Sequence, residues 1–359
     1  MGRKLAACIV LVCSIVVSLV LAEVLVRLTL PVDQHRDTEF SFYAYDELLG
    51  WTNKAGSSGM FRIPASTTTI TISGQGLRDI DHVLPKPSGT QRVVVLGDSQ
   101  TWGYGVAQTS RFTEIMRDSL RIDVVNMGVT GYGTGQEYLL LRRYGMRFAP
   151  DIVVVAFYAN DLGDNTNDNN DDEFSYPRPV LRVCDGHLRV DNVPVPLKSQ
   201  WKDHPNYFAV YGPVKGWLLQ HSRLFYLGAR QLSVMVDTFA KRMGWREEVP
   251  AHISDSSSQA WQTTFFILDH MHAWLVERDV QLVVAVIPSR DMVRRDVTVY
   301  EDQLTAWGTR SGVPVVTFND LFQGKVDDLF LRYDSHMNEQ GHMVVGERLS
   351  DVLTPLLIE

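Results

Sequence analysis

The run Val93-Val94-Val95-Leu96, followed at once by Gly97-Asp98-Ser99, is the feature that most constrains this chain. Consecutive apolar residues rich in β-branched Val, with no polar alternation, suit a strand covered on both faces, as in parallel sheets flanked by helices. In such sheets ligands gather at the carboxyl ends of the strands, and Ser99 sits at that edge. Two readings of Asp98-Ser99 follow. Either the strand delivers a serine nucleophile, or the pair caps the next helix, because Asp and Ser oxygens accept hydrogen bonds from helix-start amides.

Beyond Ser99 the hydrophobic period switches repeatedly between helix and strand. Ser110 to Leu120 reads as a helix with Phe112, Ile115, Met116 and Leu120 on one side, and Ile122 to Val125 as a strand ending at Asn126-Met127-Gly128. Thr134 to Tyr144 is helical, and Asp151 to Phe157 is a strand that gives way to Tyr158-Ala159-Asn160-Asp161. Later come a helix over Ser257 to Glu277 and strands over Gln281 to Ile287 and Val313 to Thr317. Strands separated by helical crossovers predict a parallel, doubly wound α/β sheet.

Ser99, Gly128 and Asn160 each lie just past the carboxyl end of one of these strands. A tetrahedral intermediate needs hydrogen-bond donors aimed at its oxygen, and the Ser99 amide, the Gly128 amide and the Asn160 side-chain NH₂ suit that role. A glycine at 128 also allows close approach of substrate to the backbone. The competing reading of Asn160-Asp161 is a turn signal. A base is offered by the tail Arg332-Tyr333-Asp334-Ser335-His336-Met337-Asn338. If residues 334 to 336 are extended, side chains two apart point the same way, so Asp334 orients the His336 imidazole while its other nitrogen faces Ser99. The alternative is a helix-capping loop with an incidental histidine. Asn338 is expected to cap a final helix bearing Val344, Val345, Leu349 and Val352, with His342 on that helix as a structural residue.

Taken together these residues resemble the SGNH, or GDSL-type, hydrolase superfamily. The match comprises Gly97-Asp98-Ser99 with Thr101, then Asn126 and Gly128, then Asn160-Asp161, and last Asp334 with His336, in the family's order. The resemblance implies a flavodoxin-like three-layer α/β/α sandwich with a central parallel five-stranded sheet. It implies Ser99 as nucleophile, His336 as base, Asp334 as its orienter, and Ser99, Gly128 and Asn160 as the oxyanion hole, with no metal or organic cofactor. One departure stands out. The family's last block is usually Asp-x-x-His, whereas here Tyr333 lies three before His336 and Asp334 lies two before it. An Asp-x-His arrangement also resembles SGNH-like polysaccharide O-acetyltransferases. An α/β-hydrolase elbow fits less well, since Gly-x-Ser-x-Gly wants glycine where this chain has Thr101.

Around that domain the chain divides into residues 1–30, 31–90 and 91–359. Leu5 to Ala22 is a continuous apolar or small-residue run behind Arg3 and Lys4, which reads as an uncleaved signal anchor with the body of the protein extracytoplasmic. A cleaved secretion signal is the alternative, although no Ala-x-Ala site follows. Residues 31–90 read as a polar, turn-rich lead-in with one strand-like run, Thr67 to Ile72, and no chemistry. About 162–256 is an insertion between the third and fourth strands. It contains an acidic stretch from Asp161 to Glu173, a hairpin around Asp185-Gly186, and apolar helical sequence near Val214 to Met243. Leaving from the Asn160 end, it reads as a lid or substrate wall, with Tyr207, Tyr211, Trp217, Phe225 and Tyr226 as lining or core aromatics. The acidic stretch lacks calcium-loop spacing. Cys184, alone outside the apolar run, reads as structural.

A formal charge of −8 with no long Lys/Arg cluster argues against a nucleic-acid partner. The expected function is a membrane-anchored serine esterase acting on small acyl esters, with O-acetylated cell-envelope glycan as the favoured substrate class. An acetyltransferase using the same acyl-Ser99 intermediate, and a non-catalytic envelope-binding module on the same scaffold, are the alternatives.

Overall fold

The computed structural model describes residues 2–29, 42–63, 65–166, 177–196, 222, 224–225, 228, 253, 255–331 and 334–358. The chain divides into two compact units, residues 1–36 with 199–250 and residues 37–198 with 251–359. In the first, α1 (Gly2–Thr29) contains an apolar stretch of 25 residues, Leu5–Thr29, within which 18 consecutive residues reach a mean hydropathy of 3.0. At 1.5 Å per residue that stretch spans about 37 Å, more than the hydrocarbon core of a bilayer. A helix of that length and composition serves equally as a membrane anchor or as a signal sequence. Its acidic residue Glu23 pairs with Arg27 one turn on and accepts hydrogen bonds from Ser222 Oγ (2.9 Å) and the Leu224 amide (3.0 Å).

The second unit carries the sheet. In chain order it contains β1 (Tyr43–Asp46), β2 (Gly50–Asn53), β3 (Ser58–Ile63), β4 (Ser66–Thr71), β5 (Arg92–Gly97), α2 (Ser99–Trp102), α3 (Phe112–Leu120), β6 (Asp123–Asn126), α4 (Thr134–Arg143), β7 (Ile152–Phe157) and α5 (Asp161–Asp164). It continues with β8 (Val180–Cys184), β9 (His187–Asp191), α6 (Gln259–Val276), β10 (Gln281–Val286), α7 (Arg290–Arg295), α8 (Val299–Ser311), β11 (Val315–Val316) and α9 (Glu339–Ile358). Five strands pair in parallel in the order β11-β10-β7-β5-β6. Counted along the sheet's own strands this is the flavodoxin-like order, so the chain reverses direction across the sheet between β5 and β7. Ser99 follows one of those two strands and Asn160 the other.

The absence of polar alternation in these strands has the expected cause. Within β5, Val94 and Leu96 pack in one core with Leu141 of α4, Leu268 of α6 and Trp307 of α8. Val93 and Val95 pack in the opposite core with Phe112 and Met116 of α3 and Val345 and Leu349 of α9. Because side chains alternate across a strand, both faces must be apolar when helices cover both. The α/β/α layering expected from the sequence is therefore present. Its fifth strand is shorter than Val313 to Thr317, reduced to the two residues of β11.

The lead-in is richer than its composition suggested. Besides β4, which matches the Thr67 to Ile72 expectation within a residue at each end, it forms β1, β2 and β3, paired as two antiparallel hairpins. Phe42, Phe61, Ile63, Ile70 and Ile72 bury themselves with Trp102 of α2 and Leu331. These strands owe their stability to that tertiary packing, which a four-residue polar-flanked segment does not advertise. The hairpin at Asp185-Gly186 is formed by β8 and β9, with positive φ at both turn residues, as a two-residue turn of this kind requires. The apolar stretch from Val214 to Met243, including Tyr207, Tyr211, Trp217 and Tyr226 around it, lies outside the described residues apart from a few isolated positions.

Candidate active site

The nucleophile candidate is presented by a tight strand-to-helix turn. At Gly97 an added Cβ would lie 2.1 Å from Thr101 Oγ1, so only glycine lets the chain turn this sharply. Asp98 caps the short helix that follows, its Oδ1 accepting the Gln100 amide at 2.8 Å. The capping reading of Asp98 thus holds, and Ser99 is the first helical residue. The Ser99 amide has no hydrogen-bond partner among the described residues, as expected of a first-turn N–H.

His336 Nε2 lies 2.7 Å from Ser99 Oγ, and His336 Nδ1 lies 2.5 Å from Asp334 Oδ1. The three side chains expected to meet are therefore brought into one hydrogen-bonded line. The route differs from the expectation of an extended 334–336 segment. The chain bends there, and the same Asp334 Oδ1 also accepts the His336 backbone N–H at 2.9 Å. This Asx-type turn folds the carboxylate back onto the residue two positions on, which is how a spacing of two reaches the ring. Burial pushes the Asp334 carboxyl up, but the bond from the His336 ring, the charge on that ring and the backbone amides of His336 and Ser335 outweigh it and hold it at about 2. The carboxylate is consequently charged at neutral pH.

Several residues brace this line, and the sequence reading missed most of them. Tyr104 stacks on the His336 ring, centroids 4.2 Å apart and planes 23° from parallel, and is itself packed edge-on by Phe61 of β3. Arg290 Nη1 donates to the carbonyls of Leu331 (3.0 Å) and Asp334 (2.8 Å). Arg78, buried in the lead-in, donates to the carbonyls of Trp102 (2.8 Å) and Val106 (2.7 Å). Asp79 beside it accepts the Asn126 amide at 2.8 Å. The Arg78-Asp79 pair had no motif to give it away. His342 is structural, as expected: fully buried, it is pushed down to about 3 by desolvation, and its neutral Nδ1 accepts the Phe112 amide. Asn338 caps α9 through a bond from the Gly341 amide (3.0 Å).

The oxyanion-hole expectation needs correction at Gly128. Its N–H is committed to Asn126 Oδ1 at 2.9 Å, and an added Cβ would meet the Trp102 backbone nitrogen at 2.3 Å. Glycine is required at 128 by the closeness of α2, leaving its amide no freedom to serve a substrate. On the same loop the amides of Thr130 and Gly131, the latter at φ +76°, have no partner among the described residues. Asn160 Nδ2 donates to Asp164 Oδ2 at 2.9 Å, and Asp164 is paired with Arg178 at 2.6 Å. One of the two Nδ2 hydrogens is thereby used to fix the amide plane, and the second has no partner among the described residues.

Beneath these loops lie Asp98, Glu137 and Asp161, all buried. Among the described residues both Glu137 oxygens and Asp161 Oδ1 have no hydrogen-bond partner, whereas Asp161 Oδ2 accepts Thr134 Oγ1 at 3.0 Å. Burial first, and then the charge of Asp98 on Glu137 and those of Glu137, Asp98 and Asp164 on Asp161, push the two carboxyls well above their usual range, toward the neutral acid. Among the described residues no group of three or more His, Cys, Asp or Glu side chains is arranged to hold a metal ion.

Residues 95–218 match the GDSL-like Lipase/Acylhydrolase family. No curated protein matches the chain. Among solved structures, the chain is similar to a lipase/acylhydrolase from Enterococcus faecalis, at 12% identity and TM-score 0.41, covering 74% of this chain and 97% of that one. It is also similar to a member of the lipolytic protein G-D-S-L family from Veillonella parvula DSM 2008, at 14% identity and TM-score 0.40, covering 74% and 99%. A third is the acetyl xylan esterase AlAXEase, at 12% identity and TM-score 0.40, covering 73% and 99%.

Proposed function

We propose that this chain, whose residues 95–218 match the GDSL-like Lipase/Acylhydrolase family, is an ester hydrolase of the SGNH type in which Ser99, His336 and Asp334 form the catalytic triad. The observation that carries this reading is the unbroken line from Asp334 Oδ1 through the imidazole to Ser99 Oγ, with links of 2.5 and 2.7 Å. In the proposed reaction Ser99 Oγ attacks the ester carbonyl carbon while its proton passes to His336 Nε2. Asp334 stabilises the imidazolium so formed. The carbonyl oxygen, now an alkoxide, is held by the free Ser99 amide, the second Asn160 Nδ2 hydrogen and an amide of the Thr130-Gly131 turn, which replaces Gly128 in this role. Collapse expels the alcohol oxygen, which takes the proton back from His336. Water then attacks the acyl-Ser99 by the same route and releases the acid.

The proposed substrate is a small acyl ester, acetyl foremost, carried on a cell-envelope glycan. Support comes from α1: as an anchor with Arg3 and Lys4 on the cytoplasmic side, it would hold the catalytic domain outside the cytoplasm, beside that glycan. Transfer of the acyl group to a sugar hydroxyl in place of water is a second reading, favoured by the two-residue spacing of Asp334 and His336. Detergent-solubilised full-length protein, incubated with p-nitrophenyl acetate, butyrate and octanoate, is expected to turn over the acetyl ester fastest. Addition of an unacetylated oligosaccharide should leave acetate as the main product; acetylated oligosaccharide in its place would favour transfer, and no turnover of any ester would remove the esterase reading.

Asn160 offers a separate test of the oxyanion hole. Asn160→Ala is expected to lower kcat by about 10²- to 10³-fold with KM little changed, because the donor acts mainly on the transition state. Asp161→Asn should cost little, since burial already holds Asp161 toward the neutral acid that asparagine mimics. Equal losses in both variants, with lowered melting temperatures, would reduce the pair to a structural turn.

A further inference from the structure

We propose that Gln100 is a positioning residue that sets the His336 imidazole against Ser99 by clamping the peptide groups on either side of the histidine. The inference rests on His336 being the base, as argued above. Gln100 directly follows the nucleophile and is buried, 1% exposed. Its Nε2 donates to the carbonyl of Ser335 at 3.3 Å, and its Oε1 accepts the amide of Met337 at 3.2 Å. One primary amide therefore pairs with the carbonyl before His336 and the N–H after it, in the way a neighbouring strand would.

The clamp connects two segments more than two hundred residues apart in sequence. Its base is rigid, because the Gln100 amide is tied to Asp98 Oδ1 at 2.8 Å within the turn that presents Ser99. Its far end holds a loop anchored on the other side by Met337, which is fully buried and bridges to Phe330. The other braces come from other segments: Tyr104 holds the plane of the ring, Arg290 holds the carbonyls of Leu331 and Asp334, and the Leu331 amide donates to the His336 carbonyl at 2.8 Å. Tyr158 Oη reaches the Ser335 carbonyl only at 3.5 Å. The peptide groups flanking the base are thus registered to the nucleophile through Gln100. The motif that names the GDSL family has leucine at this position, a side chain with neither donor nor acceptor. Here the glutamine and the short Asp334-Ser335-His336 bend occur together, and the clamp gives the bend a fixed reference on the nucleophile's own segment.

The test uses the full-length protein in detergent with p-nitrophenyl acetate, and counts competent sites by end-point titration with a fluorophosphonate. Gln100→Met keeps length and apolar bulk but removes both hydrogen bonds. Its kcat per titrated site is expected to fall about 10- to 100-fold with KM unchanged, because misplacing the base affects the chemical step and not ground-state binding. Gln100→Glu keeps the acceptor for Met337 but turns the donor into an oxygen facing the Ser335 carbonyl, and should fall at least as far. This near-isosteric variant carries the test if Gln100→Met fails to fold. Unchanged kcat per titrated site in either variant, or a loss confined to the titratable fraction, would overturn the proposal. A wild-type protein with neither turnover nor adduct would instead remove the base assignment, and this inference with it.

Discussion

Ser99→Ala is expected to lower kcat by about 10⁶-fold, the scale of loss when the nucleophile of a cooperative triad is removed. The size of the effect follows from geometry. Ser99 Oγ is the atom to which His336 Nε2 is directed at 2.7 Å, and with it gone the imidazole has no proton to accept and no acyl-enzyme forms. The fold should be indifferent to the change. Helix α2 is capped by Asp98 through the Gln100 amide, and the sharp turn is enforced by Gly97, so neither depends on the Ser99 hydroxyl. Turnover and melting temperature measured on the same preparation check both halves. An active Ser99→Ala protein, or an inactive one that has lost its fold, would contradict the expectation.

Removal of Asp334 should have the next largest effect. Asp334→Ala is expected to cut kcat by about 10⁴-fold with KM little altered, since in the proposed triad the carboxylate orients the imidazole and stabilises its cation without touching substrate. One oxygen does both jobs here. Oδ1 accepts the ring Nδ1–H and the His336 backbone N–H, so alanine removes the ring's partner and also releases the Asx turn that places it. Asp334→Asn separates the two contributions. Its amide oxygen can keep the turn while the charge opposite the imidazolium is lost, which places its kcat between wild type and alanine. Near-normal turnover in both variants, beside a dead His336→Ala, would reduce the triad to a dyad. A pH consequence follows as well. With its carboxyl held at about 2, below the ordinary value of 3.8, Asp334 contributes stability that is present above about pH 4 and lost as pH falls through about 2. The melting-temperature difference between wild type and Asp334→Ala should accordingly shrink on acidification through that window.

Much of the sheet and part of the site were legible from local residue pattern. Val93 to Leu96 and Asp151 to Phe157 announce doubly covered strands because both of their faces are apolar, and Ser99 and Asn160 are conspicuous as polar residues at the ends of those runs. What the pattern left out was held in place by distant contacts. β1, β2 and β3 are stabilised by burying aromatics such as Phe42 and Phe61 against Trp102, and Arg78 acts on carbonyls more than twenty residues away. Gly128 was misread for a related reason: a glycine after a strand suggests room for a substrate, but the space beside this one is filled by the backbone of Trp102. The meeting of Asp334 and His336 was anticipated on the wrong geometry, since alternation in an extended segment and an Asx turn both bring residues two apart together. Gln100 had no signal of its own, because its partners are peptide groups more than two hundred residues away.

The most direct test of the account is covalent. Wild-type full-length protein treated with a fluorophosphonate, digested and mapped by mass spectrometry should carry one adduct, on Ser99. Ser99→Ala should carry none, and His336→Ala should be modified far more slowly than wild type. An adduct on a different serine, with Ser99→Ala still labelled and active, would contradict the claim that the strand β5 delivers the nucleophile.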